Sequence, residues 1–120
     1  MRKIEAIVRE EKLQDVLDAL TAAKITGITV YQVMGCGTQR GCAGVVRGQK
    51  VYTQLLPKIK FEIVVSDEKW EKIAVDAIRS SAATGHYGDG KIFAYDLDTV
   101  IRIRTGETGY DAINSSKMEE

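Results

Sequence analysis

The order of strand-like and helix-like segments is the feature that most limits what this chain can fold into. Two segments carry apolar residues at the spacing of one helical face: Leu13, Val16, Leu17 and Leu20, and then a stripe from Trp70 to Ser81. Segments typical of strands lie at residues 2–9, 28–35, 58–65 and 92–97, and a short extra strand is indicated at 100–104. The order β-α-β-β-α-β predicts an α+β, ferredoxin-like sandwich, in which two helices cover one face of an antiparallel sheet.

Residues 37–55 interrupt this pattern. Four glycines between residues 35 and 44 make a long regular element unlikely there, and a loop of this length in a small domain is usually functional or disordered. We therefore expect residues 1–112 to form a single domain with one long loop, followed by a loose polar tail at 113–120. Ser66 is expected to cap the second helix and Gly85 to end it.

Composition excludes several classes of protein. The 120 residues have a formal net charge of zero, which disfavours a basic nucleic-acid binder. No run approaches the ~18 apolar residues of a membrane span, and Glu5 and Arg9 interrupt the N-terminal segment, so we expect no signal peptide and a cytoplasmic location. Cys36 and Cys42 are then expected to be reduced thiols, and their spacing beside a single histidine is a weak zinc signature.

A candidate anion site lies between residues 84 and 104. Three glycines surround Asp89, and Lys91 follows at once, where backbone N–H groups can approach a ligand closely. In a strand, Arg102 and Arg104 would point to the same side. These groups suit a triphosphate, but a tight turn with three solvated cations is the alternative, and the residues alone leave both open.

Two related classes fit poorly. The segment GHYGDGKI nearly matches a phosphate-loop motif, but Ile92 replaces the magnesium-binding hydroxyl, and a helix precedes the loop where the motif needs a strand. The fold order also occurs in RNA-recognition modules, which need several stacking aromatics. The central strand has the single aromatic Phe61, so RNA binding is disfavoured.

Several motifs, in order, give the chain a specific likeness. The segments IEAIVREEKLQDVLDAL, LLPKIKFEIVV, TGHYGDGKIF and VIRIRTGETG together resemble the PII signal-transduction family of nitrogen regulators over residues 2–112. The resemblance implies a homotrimer that binds ATP or ADP between subunits and, with Mg²⁺ and ATP in place, 2-oxoglutarate. It implies a signalling protein with no catalytic residues, so not an enzyme.

The resemblance also implies roles for individual residues. Phosphates would be bound by Gly88, Asp89, Gly90 and Lys91 of one subunit and by Arg102 and Arg104 of its neighbour. The adenine side would be held by Thr29 and the backbone at Val64. At the loop base lie Gly37 and Gln39, and Gln39 would help to hold Mg²⁺ and 2-oxoglutarate, while Lys58 would pair with the distal carboxylate of 2-oxoglutarate.

The long loop corresponds to the family's T-loop, which docks onto target proteins. Arg47 matches the loop-tip arginine that inserts into ammonium channels. Two positions depart from the family pattern: Thr38 replaces an arginine that contacts phosphate, and Val51 replaces the tyrosine that is uridylylated, although Tyr52 is adjacent. The alternatives are a nitrogenase-regulating member of the family or a slow ATP-hydrolysing enzyme, for which the sequence offers little.

Overall fold

The structure is a computed structural model, and it describes residues 1–36, 45–46, 49–50 and 55–114. The main sheet contains strands β1 (Arg2–Arg9), β2 (Ile28–Gly35), β5 (Leu56–Val65) and β6 (Gly90–Asp96). They are antiparallel neighbours in the order β2-β5-β1-β6. Two short strands, β3 (Val45–Val46) and β4 (Gln49–Lys50), pair with each other within the predicted T-loop. Helices α1 (Leu13–Ala22) and α2 (Glu68–Ala82) complete the predicted ferredoxin-like order.

The core lies between the two helices and one face of the sheet. Alternate residues of the central strands are buried there, as the sequence predicts: Ile4, Ala6 and Val8 in β1, and Ile59, Phe61, Ile63 and Val65 in β5. They pack with Val16 and Leu20 of α1 and with Ala74 and Ile78 of α2. Because strand residues alternate sides, the intervening residues of β1, β5 and β6 face the side without helices, which we call the open face.

The start and end of α2 differ from the sequence prediction. Asp67, not Ser66, is the N-cap: its backbone is extended and its carboxylate accepts a hydrogen bond from the Trp70 N–H at 3.0 Å. The helix ends at Ala82, three residues before Gly85, because Ala83 adopts an extended backbone. Gly85 instead has a φ of +85° and belongs to the loop that follows.

The predicted strand at residues 100–104 is wrong. This segment makes a single isolated bridge between Ile101 and Thr108. Two backbone hydrogen bonds form this bridge, from Arg102 N–H to Glu107 O at 2.8 Å and from Gly109 N–H to Val100 O at 3.0 Å, and a third, from Gly106 N–H to Arg102 O at 2.8 Å, closes the turn between them. Gly106 has a positive φ, which permits the turn. In the sequence, the strand-like apolar residues at 100, 101 and 103 obscured this turn signal.

The C-terminal segment begins as a short helix. Residues Tyr110–Asn114 form α3, so the first residues of the predicted loose tail are helical. The guanidinium of Arg102 donates hydrogen bonds to the backbone carbonyls of Asp111 and Ala112, which ties α3 to the preceding turn.

Candidate functional site

The loop between α2 and β6 is built around a glycine that no other residue can replace without a shift of the backbone. We call residues 84–90 the glycine loop. Gly90, its last residue, has a φ of +109°. A Cβ at this position would lie 1.8 Å from the carbonyl oxygen of Ile7 in the paired strand β1. The second glycine of the GDG motif is therefore required by the close approach of the two strands.

Asp89 holds the glycine loop together. One oxygen of its carboxylate accepts hydrogen bonds from Arg9 Nε at 2.9 Å and from the Thr84 hydroxyl at 2.5 Å. The other oxygen accepts from the backbone N–H groups of Thr84 at 2.7 Å and Gly85 at 3.0 Å. The Thr84 hydroxyl, followed by Arg9, holds the pKa of Asp89 well below its usual range, so the carboxylate is ionised at neutral pH.

Two cations on neighbouring strands hold the backbone carbonyls of the same loop. Arg9, at the end of β1, donates from Nη2 to the carbonyl of Tyr87. Lys58, near the start of β5, donates from Nζ to the carbonyl of Gly88 at 2.9 Å. Sequence reasoning missed Arg9 and Thr84 as site residues, although the alternation of β1 places Arg9 on the open face, level with the loop.

A cleft of about 450 Å³ lies on the open face beside the glycine loop. It brings together four of the residues assigned to ligand binding from the sequence: Lys58, Gly88, Gly90 and Lys91. Gly35 and Cys36, which lead into the T-loop, and Leu56, which follows it, line the same cleft. Two lysines and a glycine-rich backbone therefore meet an apolar wall that includes Ile7 and Phe93, a combination suited to an anionic ligand with an apolar part.

A second cleft, of about 300 Å³, lies where β5 passes to α2. It is lined by Gly27, Val64, Trp70 and residues of α3, so Val64 is placed in a cavity. Thr29 does not line this cleft; it is the second residue of β2 and lies opposite Glu62 of β5.

Neither Arg102 nor Arg104 lines either of these two clefts within one chain. Arg102 is half-buried, and its guanidinium donates to Glu107 at 3.1 Å as well as to the carbonyls of α3. Because this segment is a turn, the prediction that the two arginines project from one face of a strand is wrong.

The open face also carries a cluster of charged residues that the sequence did not single out. Lys60 lies 3.4 Å from Glu5 and 3.5 Å from Glu62, and Lys3 lies 3.6 Å from Glu62. Tyr95 and Tyr31 donate their hydroxyls to Glu5 and Glu62 respectively. These hydroxyls, together with the lysines, lower the pKa of both glutamates. The four charges balance, so the centre of the open face is polar and neutral.

Several predicted residues lie outside the described part of the chain. These are Gly37, Thr38, Gln39, Cys42, Arg47, Val51 and Tyr52. Cys36 is described, and it is disulfide-bonded. The expectation of a reduced thiol at Cys36 is therefore wrong.

Comparison with known proteins places this fold and loop in one family. The model of the nitrogen regulatory protein P-II family matches residues 1–107. The chain belongs to the P-II family. It is 50% identical over 113 residues to the nitrogen regulatory protein P-II of Pasteurella multocida, covering 94% of this chain and 100% of the relative. Identity is also 50%, with the same coverage, to the P-II protein of Bradyrhizobium diazoefficiens. It is 53% to nitrogen regulatory protein P-II 1 of Methanothermobacter thermautotrophicus, covering 94% of this chain and 97% of that protein.

Membership of the P-II family defines the general role. P-II proteins are regulators and not enzymes, so this chain is a signalling protein. Among the residues described here, no helix is long and apolar enough to cross a membrane.

Proposed function

We propose that this chain is a cytoplasmic, homotrimeric P-II regulator that binds ATP or ADP, together with 2-oxoglutarate, at sites between subunits. It regulates target proteins, such as an ammonium channel, through its T-loop. The observation that carries the proposal is the cleft beside the glycine loop, where Lys58 and Lys91 meet the backbone of Gly88 and Gly90.

Phosphate groups suit this cleft for an electrostatic reason. Lys91 is exposed, and Lys58 is held at the loop by the carbonyl of Gly88. The negative charge of Asp89, which lies in the same loop, is already offset by Arg9. A polyanion therefore meets two cations without an unpaired carboxylate beside them, and each charge-assisted hydrogen bond contributes about 1.5–3 kcal/mol.

Assembly of three copies is supported by apolar surface that a single chain leaves exposed. Phe93 and Tyr95 on the open face are 48% and 40% exposed, and Ile103 in the turn after β6 is fully exposed. Burial of such side chains is favourable at about 25 cal/mol per Å². Since Arg102 and Arg104 flank Ile103, an interface that buries Ile103 would bring this turn to a neighbouring subunit, as an intersubunit nucleotide site requires.

The remaining ligand roles follow the same two clefts. The second cleft, which Val64 lines, is proposed to hold the adenine end of the nucleotide, together with Thr29. Lys58 is proposed to pair with the distal carboxylate of 2-oxoglutarate, because its ammonium group carries donors beyond the one directed to Gly88. Gly37 and Gln39 are proposed for the base of the T-loop, and Thr38 occupies a position where the family commonly has a phosphate-binding arginine.

Magnesium would be held mainly by the ligand. The described residues contain no group of three or more metal-binding side chains, and the carboxylate of Asp89 already accepts four hydrogen bonds. This fits an ion that takes one or a few protein ligands and the phosphates of a nucleotide. Gln39 is the proposed protein ligand, and the ion would neutralise phosphate charge.

The proposal is tested by replacing one cation of the cleft. Lys91→Ala should weaken ATP and ADP binding by about ten- to a hundredfold, because it removes a charge-assisted contact. Isothermal titration calorimetry measures both affinities. Lys72→Ala is the matched control, since Lys72 is an exposed lysine that pairs with Asp76 on the outside of α2. Unchanged affinity in the Lys91 variant, or an equal loss in the control, would contradict the assignment.

A further inference from the structure

The glycine loop is held together from inside by hydrogen bonds to the carboxylate of Asp89. Asp89 accepts four hydrogen bonds, two of them from the backbone of Thr84 and Gly85. Its carboxylate therefore joins the two ends of the six-residue segment from Thr84 to Asp89, and both of its oxygens accept hydrogen bonds within the loop or from Arg9. Such a group shapes the loop and does not act as a ligand.

The carbonyl contacts determine where the neighbouring N–H groups point. In a planar trans peptide, the C=O and the following N–H point in opposite directions. Because Arg9 holds the carbonyl of Tyr87, the N–H of Gly88 faces away from Arg9; because Lys58 holds the carbonyl of Gly88, the N–H of Asp89 faces away from Lys58. Within the described part of the chain, neither N–H donates a hydrogen bond. The N–H of Asp89 therefore points away from the cation that lines the cleft, whereas the backbone of Gly88 and Gly90 lines the cleft itself.

We propose that Asp89 and Arg9 are positioning residues, which hold the glycine loop in the shape that places the backbone of Gly88 and Gly90, and the side chain of Lys91, at the cleft. This inference rests on the proposed function, and it changes the role assigned to Asp89 from the sequence. The Asp89 side chain contacts neither the phosphate nor the magnesium ion. Arg9 joins the loop to β1 through two acceptors, and its charge offsets that of Asp89.

The substitution Asp89→Asn separates three possible roles, because it keeps the shape of the side chain and removes its charge. An amide has one acceptor oxygen, so half of the four contacts lose their acceptor. If Asp89 positions the loop, ATP with Mg²⁺ and ADP without it should both bind about tenfold or more weakly. If the carboxylate faced the phosphates, loss of its charge would tighten binding. If it were a metal ligand, only the binding that requires Mg²⁺ would weaken.

Matched variants test the pairing with Arg9. Asp98→Asn is the control, since it makes the same change at an exposed aspartate outside the loop. Arg9→Met should weaken the binding of both nucleotides. Arg9→Lys should weaken it less than Arg9→Met does, because lysine keeps the positive charge but lacks the forked guanidinium that reaches two acceptors. The double variant Arg9→Met/Asp89→Asn should be less impaired than the sum of the two single variants. Full additivity would overturn the shared network.

Hydrogen exchange in the ligand-free protein provides a readout that does not depend on nucleotide binding. In Asp89→Ala, which removes both acceptor oxygens, exchange of the Thr84 and Gly85 amides should become several-fold faster and exchange in β5 should stay unchanged. Unchanged exchange at both amides would overturn the positioning role even if affinity fell. If the wild-type protein bound neither nucleotide, the proposed function would fail, and so would the part of this inference that concerns ligand binding. Faster exchange of the Thr84 and Gly85 amides in the Asp89 variant would still show that Asp89 holds the loop.

Discussion

Replacement of Gly90 by alanine is the substitution for which the structure predicts the largest local effect. The added Cβ would lie 1.8 Å from the carbonyl oxygen of Ile7 and 2.8 Å from its carbonyl carbon. Carbon and oxygen atoms meet at about 3.3 Å, so β6 must retreat from β1 by roughly 1.5 Å at this point. Both atoms that collide belong to backbone, and no side chain can rotate to relieve the contact.

Three effects contribute to the cost. A φ of +109° strains an alanine by about 1–3 kcal/mol. A shift of about 1.5 Å breaks the nearest ladder hydrogen bonds between β6 and β1, each worth about 0.5–1.5 kcal/mol, and the forced separation of packed strands adds about 1–3 kcal/mol. We therefore expect Gly90→Ala to lower the free energy of unfolding by about 3–6 kcal/mol, a large part of the ~5–15 kcal/mol typical of a domain.

Urea denaturation followed by circular dichroism measures this loss, at one protein concentration because assembly would shift the midpoint. Gly85→Ala is the matched control: its φ is +85°, but a Cβ there would have no atom within 4 Å. The control should lose only the strain, about 1–2 kcal/mol. If the two variants unfolded at the same urea concentration, the collision with Ile7 would not be limiting and the reasoning would be wrong.

Two further predictions concern pH and covalent modification. Folding lowers the pKa of Asp89, so the ionised carboxylate stabilises the folded state fully at pH values above the ordinary pKa of ~3.9. This contribution is lost as the pH falls below that value. Acid titrations should therefore show a shallower loss of folding stability between about pH 4 and pH 2 in Asp89→Asn than in wild type. After incubation with a uridylyltransferase and UTP, intact mass measurement should show no adduct. Val51 has no hydroxyl to modify, and in an extended segment the side chain of Tyr52 would face the other way. Stoichiometric modification of Tyr52 would refute this prediction.

The strands and helices could be predicted because burial repeats at the period of each element. In β5, every second residue from Ile59 to Val65 is buried, and that alternation is visible in the sequence. The turn at 100–109 was missed for the opposite reason. Its apolar residues mimic a strand, but Ile101 and Ile103 are exposed in one chain, so their periodicity does not report burial in the monomer.

The contacts that shape the candidate site could not be predicted from local patterns. Asp89 is 80 residues from Arg9, and Gly88 is 30 residues from Lys58. The order and register of the sheet bring them together, since β1 lies between β5 and β6, and periodicity does not specify that order. The glycine-rich motif indicates a close approach of backbone, whereas the partner of that approach, Ile7, emerges only from the pairing of β1 with β6.

The position of the cleft explains how ligand binding and target binding could be linked. Gly35 and Cys36 lead into the T-loop, Leu56 and Lys58 follow it, and all four line the cleft beside the glycine loop. A ligand in this cleft would therefore contact both ends of the T-loop, and any conformer of the loop that moves either end would change the contacts to the ligand. A ligand shifts such an equilibrium only by its difference in affinity for the two conformers, and a target that selects one conformer must change ligand affinity by the same factor. Lys58 is suited to this coupling, because it belongs to the strand that leaves the T-loop and its ammonium group already holds the carbonyl of Gly88.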